Sequence, residues 1–455
     1  MRVAVACLAL LLLVSGLAAA PVGWRTDGTG KYPTATPPAD WAPDSNVVWS
    51  VALPSWSNAT PVIVGDRIFI CTEPDTLMCL SKTDGSVLWQ SANSYKDVAT
   101  PEEAAQIDAV NAQVADLRKQ AGQKQNQVYK LNTELKDKPD DAELKAKIEG
   151  LKGEVKALNQ QIAGLEKWYV LPKTYQINGF STPTPVSDGK HVWVLFNHGI
   201  AACYDLDGKL VWRKYFEKPA SEYGHSTSPV LADGKLIIHL LHLQAIDPLT
   251  GETLWKVRLQ ESWGTPQVGK IGDTEIIVTP AGDLVRANDG KVLAQKLTRL
   301  EYGDPILADG KVYFIQNGGK AWKLPAEVTE AAFTPELLWE TQVRKDRYYA
   351  ASVLHDGIIY CVTQVGILSA IDAANGQVIY EQALNEKPTF YPAVTFAGGL
   401  LYVSNDKGAT IVVKPGRQYE EVKRIKLEPF RSCPVFEGNR VYVRGLTKMW
   451  CLGTQ

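Results

Sequence analysis

The chain has 455 residues and carries 48 Lys plus Arg against 50 Asp plus Glu, a formal net charge of −2. That balance excludes a global field able to gather nucleic acid or an anionic membrane. The length would hold two or three ordinary domains, yet a closed repeat architecture also reaches this size as one unit.

At the start, Arg2 precedes an apolar run from Val3 to Leu17, and small residues stand at Gly16, Ala18, Ala19 and Ala20. A positive start, a short apolar core and a small-residue exit read as a secretory signal peptide over residues 1–20. The run falls short of the ~20 apolar residues a spanning helix needs. Cys7 lies inside the apolar core rather than behind a cleavage site, which argues against lipid attachment there. The expectation is a periplasmic or secreted protein with no transmembrane anchor.

Residues 21–100 introduce a phrase that then returns along the chain. It holds an apolar strand, often opened by proline, a Gly/Asp-type turn, a second strand, a third strand ending in another turn, and an aromatic-bearing fourth strand. The phrase begins at Pro61, Pro185, Pro229, Pro305 and Pro434, and its second half reads Thr83-Asp-Gly-Ser-Val-Leu-Trp89, Leu206-Asp-Gly-Lys-Leu-Val-Trp212 and Leu249-Thr-Gly-Glu-Thr-Leu-Trp255. Repetition at roughly forty residues fixes the architecture before any single element does. Eight units align, starting near Asn58, Ser181, Ser226, Gly264, Gly303, Ala350, Tyr391 and Ser432. Units of four short strands close radially, so the fold class is all-β, an eight-bladed β-propeller. The fourth-strand aromatics Trp89, Trp212, Trp255, Trp339 and Tyr380 should fill the wedges between blades. The last unit ends before a fourth strand, and Asn46–Leu53 is a fourth strand without a blade. Pairing the two termini would close the ring and remove its open edges.

Residues 101–167 are of another kind, rich in Ala, Gln, Lys, Glu and Leu. Apolar positions run Ile107, Val110, Val114, Leu117, Ala121, Val128, Leu131, Leu135, and resume after Pro139 at Leu144, Ile148, Leu151, Val155, Leu158, Ile162 and Leu165. This three-four spacing is a heptad seam. The two runs mirror each other about Pro139, which predicts an antiparallel α-helical coiled-coil hairpin inserted between blades one and two. Its expected use is partner contact or spacing.

Residues 168–455 return to the propeller, blades two to eight. Cys71, Cys79, Cys203, Cys361, Cys433 and Cys451 remain after the leader. Two readings stand for them: a disulfide between Cys71 and Cys79, which an exported protein permits, or small buried thiols at a repeat position that also accepts Ala245 and Ala370. His239 and His242 lie around a predicted hairpin turn and His225 precedes an inner strand. Zinc needs three or four convergent ligands, and a structural role is the expectation for all three.

The repeat, notably Ala245-Ile-Asp-Pro-Leu-Thr-Gly-Glu-Thr-Leu-Trp255 and Ala370-Ile-Asp-Ala-Ala-Asn-Gly-Gln-Val-Ile-Tyr380, resembles the pyrroloquinoline-quinone (PQQ) repeat family. That family, of quinoprotein alcohol dehydrogenase-like propellers, also includes the propeller lipoprotein of the outer-membrane barrel-assembly machinery. In its enzymes the resemblance implies a quinone held against a disulfide of adjacent cysteines, with calcium bound by carboxylates and an amide. This chain has no adjacent cysteines and no Cys-x-x-Cys-His haem site. Asp304 and Asn58, near inner strands, are two scattered oxygen donors rather than a calcium site. No cofactor, metal or catalytic residue is therefore expected.

A recognition surface is expected instead. Just before the inner strands stand Trp56, Phe180, His225 (with Tyr223), Trp263, Tyr302, Tyr349, Tyr391 and Arg431 (with Phe430), a candidate rim of the kind enriched at binding sites. The reading is an exported non-catalytic binding or scaffold propeller that meets a protein partner through hairpin and channel mouth. The alternatives are a PQQ-dependent oxidoreductase and a carbohydrate- or peptide-binding propeller.

Overall fold

The computed structural model describes residues 20–454 apart from positions 39, 220, 222–223, 317, 330–332 and 388. The expected signal peptide up to Ala19, with Cys7 in it, and Tyr223 lie outside the described residues. Blades one to seven each contribute four antiparallel strands in chain order, from Val62–Val64 through Val87–Ala92 in blade one to Thr395–Ala397 through Glu420–Lys426 in blade seven. The eighth blade takes its outer strand from the other end of the chain. Strand β2 (Val47–Ala52) follows β1 (Lys31–Tyr32), and it pairs antiparallel with Lys448–Gly453, Trp49 opposite Cys451 and Val51 opposite Met449. The predicted closure is therefore formed. First strands of neighbouring blades touch one another, which places them innermost. The Asp-Gly turns at Asp233, Asp309 and Asp356 adopt left-handed backbone at both central residues, as in Asp233 (φ 49°) and Gly234 (φ 67°), the geometry of a type I′ hairpin turn.

The fourth-strand aromatics join each blade to the next. The indole N–H groups of Trp49, Trp89, Trp212, Trp255 and Trp339 donate to the backbone oxygens of Lys82, Leu206, Pro248, Ala287 and Ala373 in the following blade. A turn glycine of that blade lies on the ring. A Cβ at Gly251, for instance, would stand 2.7 Å from Trp212, so glycine is required there. Tyr380 meets Tyr419 at the next seam. On the inner side each aromatic faces a small residue, Cys79 behind Trp89 and Ala245 behind Trp255. All six described cysteines are buried and free, which favours the packed-thiol reading over the disulfide.

Helix α1 (Pro101–Asp137) begins at a Thr100 cap that reciprocates with Glu103, and α2 (Ala142–Gly164) begins at Asp141, whose carboxylate accepts the Leu144 N–H. At about 1.5 Å per residue α1 is roughly 55 Å long. Leu117, Ala121, Leu158, Ile162 and Leu165 share one apolar seam, the mirror pairing expected about Pro139. The base is anchored on the disc rather than free of it. Ile107, Tyr95, Tyr169 and Trp168 pack against Ile200 and Tyr215 of blade two. Asn111 exchanges hydrogen bonds with Tyr169 and Leu171, and Arg118 donates to the Leu171 carbonyl.

Candidate ligand site at the channel mouth

Immediately before the inner strands of six blades the chain places a small polar residue or cysteine, and these residues tie the blades together around the channel. Cys433 N–H donates to Thr60 Oγ1 (3.1 Å), Thr60 to Thr184 Oγ1 (3.0 Å), Thr184 to Ser228 Oγ (3.0 Å), Ser228 to Thr265 Oγ1 (3.1 Å) and Thr265 to Asp304 Oδ1 (2.7 Å). Ala393 N–H reaches Cys433 Sγ at 3.3 Å. The chain of bonds is interrupted where Ala351 and Ala393 offer no acceptor.

Residues 22–32 fill that interruption. Val22 bridges Ser187 in blade two, and β1 pairs in parallel with the innermost strand of blade seven, Thr395–Ala397. Between them a tight turn carries Trp24 and Arg25 into the channel, with Arg25 (φ 53°) and Thr26 (φ 68°) in the left-handed region that non-glycine residues seldom occupy. Trp24 packs on Ala351, Ala393 and Cys433, and its indole donates to Asp304 Oδ2 at 2.5 Å. Arg25, buried, donates to the carbonyls of Ser352 and Val394 in blades six and seven. Burial drives the Asp304 carboxyl upward, against the downward pull of Arg25 and the two hydrogen bonds. Nothing in the periodic pattern announced this finger, because residues 21–45 carry no repeat.

Above Trp24 opens a cavity of about 680 Å³. Of the expected rim, Trp263, Tyr302, Tyr349, Tyr391 and Arg431 line it, together with Asn58 and Asp304. The four rings form an arc over blades four to seven. Their centroids are 5.4 Å apart for Trp263–Tyr302, 4.7 Å for Tyr302–Tyr349 and 5.0 Å for Tyr349–Tyr391. Burial raises the Tyr302 and Tyr391 hydroxyls above their ordinary range. Sequence reasoning missed Trp24, Glu301 and Arg347, and also Tyr175, Ile177 and Asn178 on the segment returning from the hairpin.

Trp56, Phe180 and His225, also named for the rim, are not among the residues lining this cavity. Phe180 turns toward His198, and its N–H is held by the Glu73 carboxylate. The Trp56 carbonyl accepts the Glu73 N–H. His225 is buried, its ring bonded to the His239 carbonyl at 2.5 Å. Phe430 is likewise buried in the seam of blade eight. Blades eight to three instead present Arg431, Asn58, Thr182 and Ser226 to the cavity, so the aromatic arc covers only the opposite half. His242 pairs with Glu217 at 2.9 Å, a carboxylate that also holds Lys256 and Gln244.

The residues present do not fit the quinone-and-calcium arrangement of the enzymes. Cys433, the cysteine beneath the cavity, packs under Trp24 with no cysteine beside it in sequence. Both Asp304 oxygens already accept hydrogen bonds; the Asn58 amide donates to Ile177 and Thr182 and leaves its buried Oδ1 unpartnered, a single free oxygen where calcium takes six to eight.

Fold, seams and channel define an eight-bladed propeller of the PQQ-repeat type. The family model described as outer membrane protein assembly factor BamB matches residues 41–134 and 241–445, and the chain belongs to that family. It is similar to the outer membrane protein assembly factor BamB of Moranella endobia (strain PCIT), 20% identical over 393 residues, covering 86% of this chain and 83% of the relative. Among solved structures, BamB from Moraxella catarrhalis superposes with a TM-score of 0.55 at 11% identity, covering 90% of this chain and 99% of that one. A europium-containing methanol dehydrogenase superposes with a TM-score of 0.56 at 11% identity, over 94% and 90%. The likeness to both establishes the fold.

Proposed function

We propose that this protein is an exported, non-catalytic propeller that binds a protein partner in the cell envelope and serves outer membrane protein assembly. The observation that carries this reading is the assembly-factor family match, which spans both ends of the closed disc. The site chemistry agrees with it. The cavity is walled by aromatic rings and guanidinium groups, the side chains enriched in protein-recognition surfaces. No helix among the described residues is long and apolar enough to cross a membrane; delivery to the periplasmic side is assigned to the expected leader at residues 1–20.

In this reading the partner is held by the mouth and the arm together. The segment that returns from α2 lines the cavity at Tyr175, Ile177 and Asn178, so arm and mouth adjoin. Two modest contacts on one rigid body gain from effective concentration. The test is affinity capture from envelope extract, with the intact chain and with a chain whose arm is shortened. Recovery of an assembly component by the intact chain, reduced by shortening the arm, is expected. Recovery of none, or fractionation of the protein to the cytoplasm, would overturn the reading.

A further inference from the structure

The cavity's lining is specific enough to define what it holds. Two guanidinium groups stand at its wall, and among the described residues neither Arg347 nor Arg431 has an ion-pair partner. The one hydrogen bond from the Arg347 guanidinium goes to the Tyr349 hydroxyl, at 3.4 Å. Of the two carboxylates in the lining, Asp304 is spent on Trp24 and Thr265, which leaves Glu301. The balance of uncommitted charge is therefore cationic. Beside it runs the arc Trp263–Tyr302–Tyr349–Tyr391, and Tyr175, 56% exposed, stands at the opening. An apolar wall beside unpaired guanidinium groups suits a ligand that carries both a carboxylate and an apolar group.

The channel also displays its taste for extended polypeptide. Directly below the cavity the inner strands receive the chain's own leading segment, through β1 on Thr395–Ala397 and through the Val22–Ser187 bridge. The innermost strands of blades seven and two thus accept an extended segment by backbone pairing, the mode of β-augmentation.

We propose that the cavity binds an extended polypeptide segment in which a carboxylate stands beside an aromatic or branched apolar side chain. Arg347 and Arg431 hold the carboxylate, and the aromatic arc takes the apolar side chain over the floor made by Trp24. This inference rests on the partner-binding reading and names the chemistry of what is bound.

The experiment uses the full mature chain and labelled hexapeptides with blocked ends: one with a Phe-Asp pair, its Phe-Asn and Ala-Asp counterparts, and in competition an oligomer of hexuronic acid. Fluorescence anisotropy should show the Phe-Asp peptide bound roughly tenfold more tightly than either counterpart. Arg347→Gln and Arg431→Gln should each erase the preference for Asp over Asn, and Tyr349→Leu the preference for Phe over Ala, with melting temperatures monitored to confirm folding. Arg347 is exposed, so its variant keeps the test available should another fail to fold. Equal binding of the Phe-Asp and Phe-Asn peptides, no peptide binding, or preference for the hexuronate would overturn the proposal. Envelope capture is measured in parallel. If it persists while the peptides fail to discriminate, this inference falls and the scaffold reading stands; if the intact chain captures nothing, the scaffold reading itself falls.

Discussion

Trp24 and Asp304, 280 residues apart in sequence, meet through a 2.5 Å hydrogen bond at the centre of the disc. The contact joins the leading segment to the bonds that run from Cys433 through Thr60 to Asp304, and it converts an open channel into a cavity with a floor. Trp24→Ala should remove both the floor and the packing on Ala351, Ala393 and Cys433. A loss of about 2–4 kcal/mol in urea unfolding is expected. Asp304→Asn retains only one acceptor for two donors, so about 1–3 kcal/mol should be lost there. A double variant should lose less than the sum, because each single change already breaks the shared bond.

Blade seams make a sharper test. Gly251 has φ 68° and lies against Trp212, whereas Gly234 has φ 67° with nothing within 4 Å of an added Cβ. Backbone strain is therefore matched and only the seam differs. Gly234→Ala should cost about 1–2 kcal/mol. Gly251→Ala must also push the indole from the Pro248 carbonyl, and should cost roughly 2–3 kcal/mol more. Equal melting temperatures for the two variants would show that the indole yields freely.

Acid should weaken the disc through its buried histidines. Burial lowers His198 and His225 to about 4 and His239 to about 3, against an ordinary value near 6.5. In the unfolded chain these rings take up protons near pH 6.5, which the folded protein refuses until well below. Their contribution is thus complete above pH 6.5 and is lost as the pH falls toward 4. Asp75, raised by burial to about 6, opposes this, since the folded state binds its proton first as the pH falls. Three histidines against this carboxyl leave a net loss from these four groups. His225→Gln keeps a donor for the His239 carbonyl and removes the titration. Between pH 6.5 and 4 the variant should lose up to about 1.4 kcal/mol less per pH unit than the parent.

The repeat made the disc legible because each blade writes the same chemistry at the same offset. Trp89, Trp212 and Trp255 follow their Asp-Gly or Thr-Gly turns at fixed spacing, and the unpaired strand at Asn46–Leu53 announced the closure. The mouth was half legible. Position before the inner strand located Trp263, Tyr302, Tyr349, Tyr391 and Arg431, but the same position at His225 and Phe180 turned inward, which depends on neighbours such as Glu73 and His239. A signal for the inner hydrogen bonds was present and unread. Thr60, Thr184, Ser228, Thr265, Asp304 and Cys433 each precede a proline, a small acceptor placed where the chain enters the channel. The finger left no such trace. Trp24 and Arg25 are placed by long-range contacts with blades five to seven, which no local pattern encodes.

The hairpin tests how a self-contained seam joins a disc. Its distal part packs on itself through Leu117, Ala121, Leu158 and Ile162, whereas its base shares Ile107, Tyr169 and Trp168 with blade two. The two parts should therefore separate energetically. Replacing residues 119–160 by a short Gly-Ser linker keeps Val114 opposite Leu165 and the Arg118 bond to Leu171, and leaves the anchored base intact. Loop closure changes this by only about 1 kcal/mol, so the melting temperature of the disc should stay within a few degrees of the parent's. Replacing residues 101–167 also removes Ile107 from the Tyr95, Tyr169 and Ile200 cluster, together with the bonds from Asn111 and Arg118. A further loss of about 3–5 kcal/mol is expected from that exposed base. Differential scanning calorimetry of the two truncations distinguishes the cases. If the short truncation proves as damaging as the long one, the arm and disc fold as one cooperative unit, and the arm could not be removed to test partner binding without disturbing the mouth.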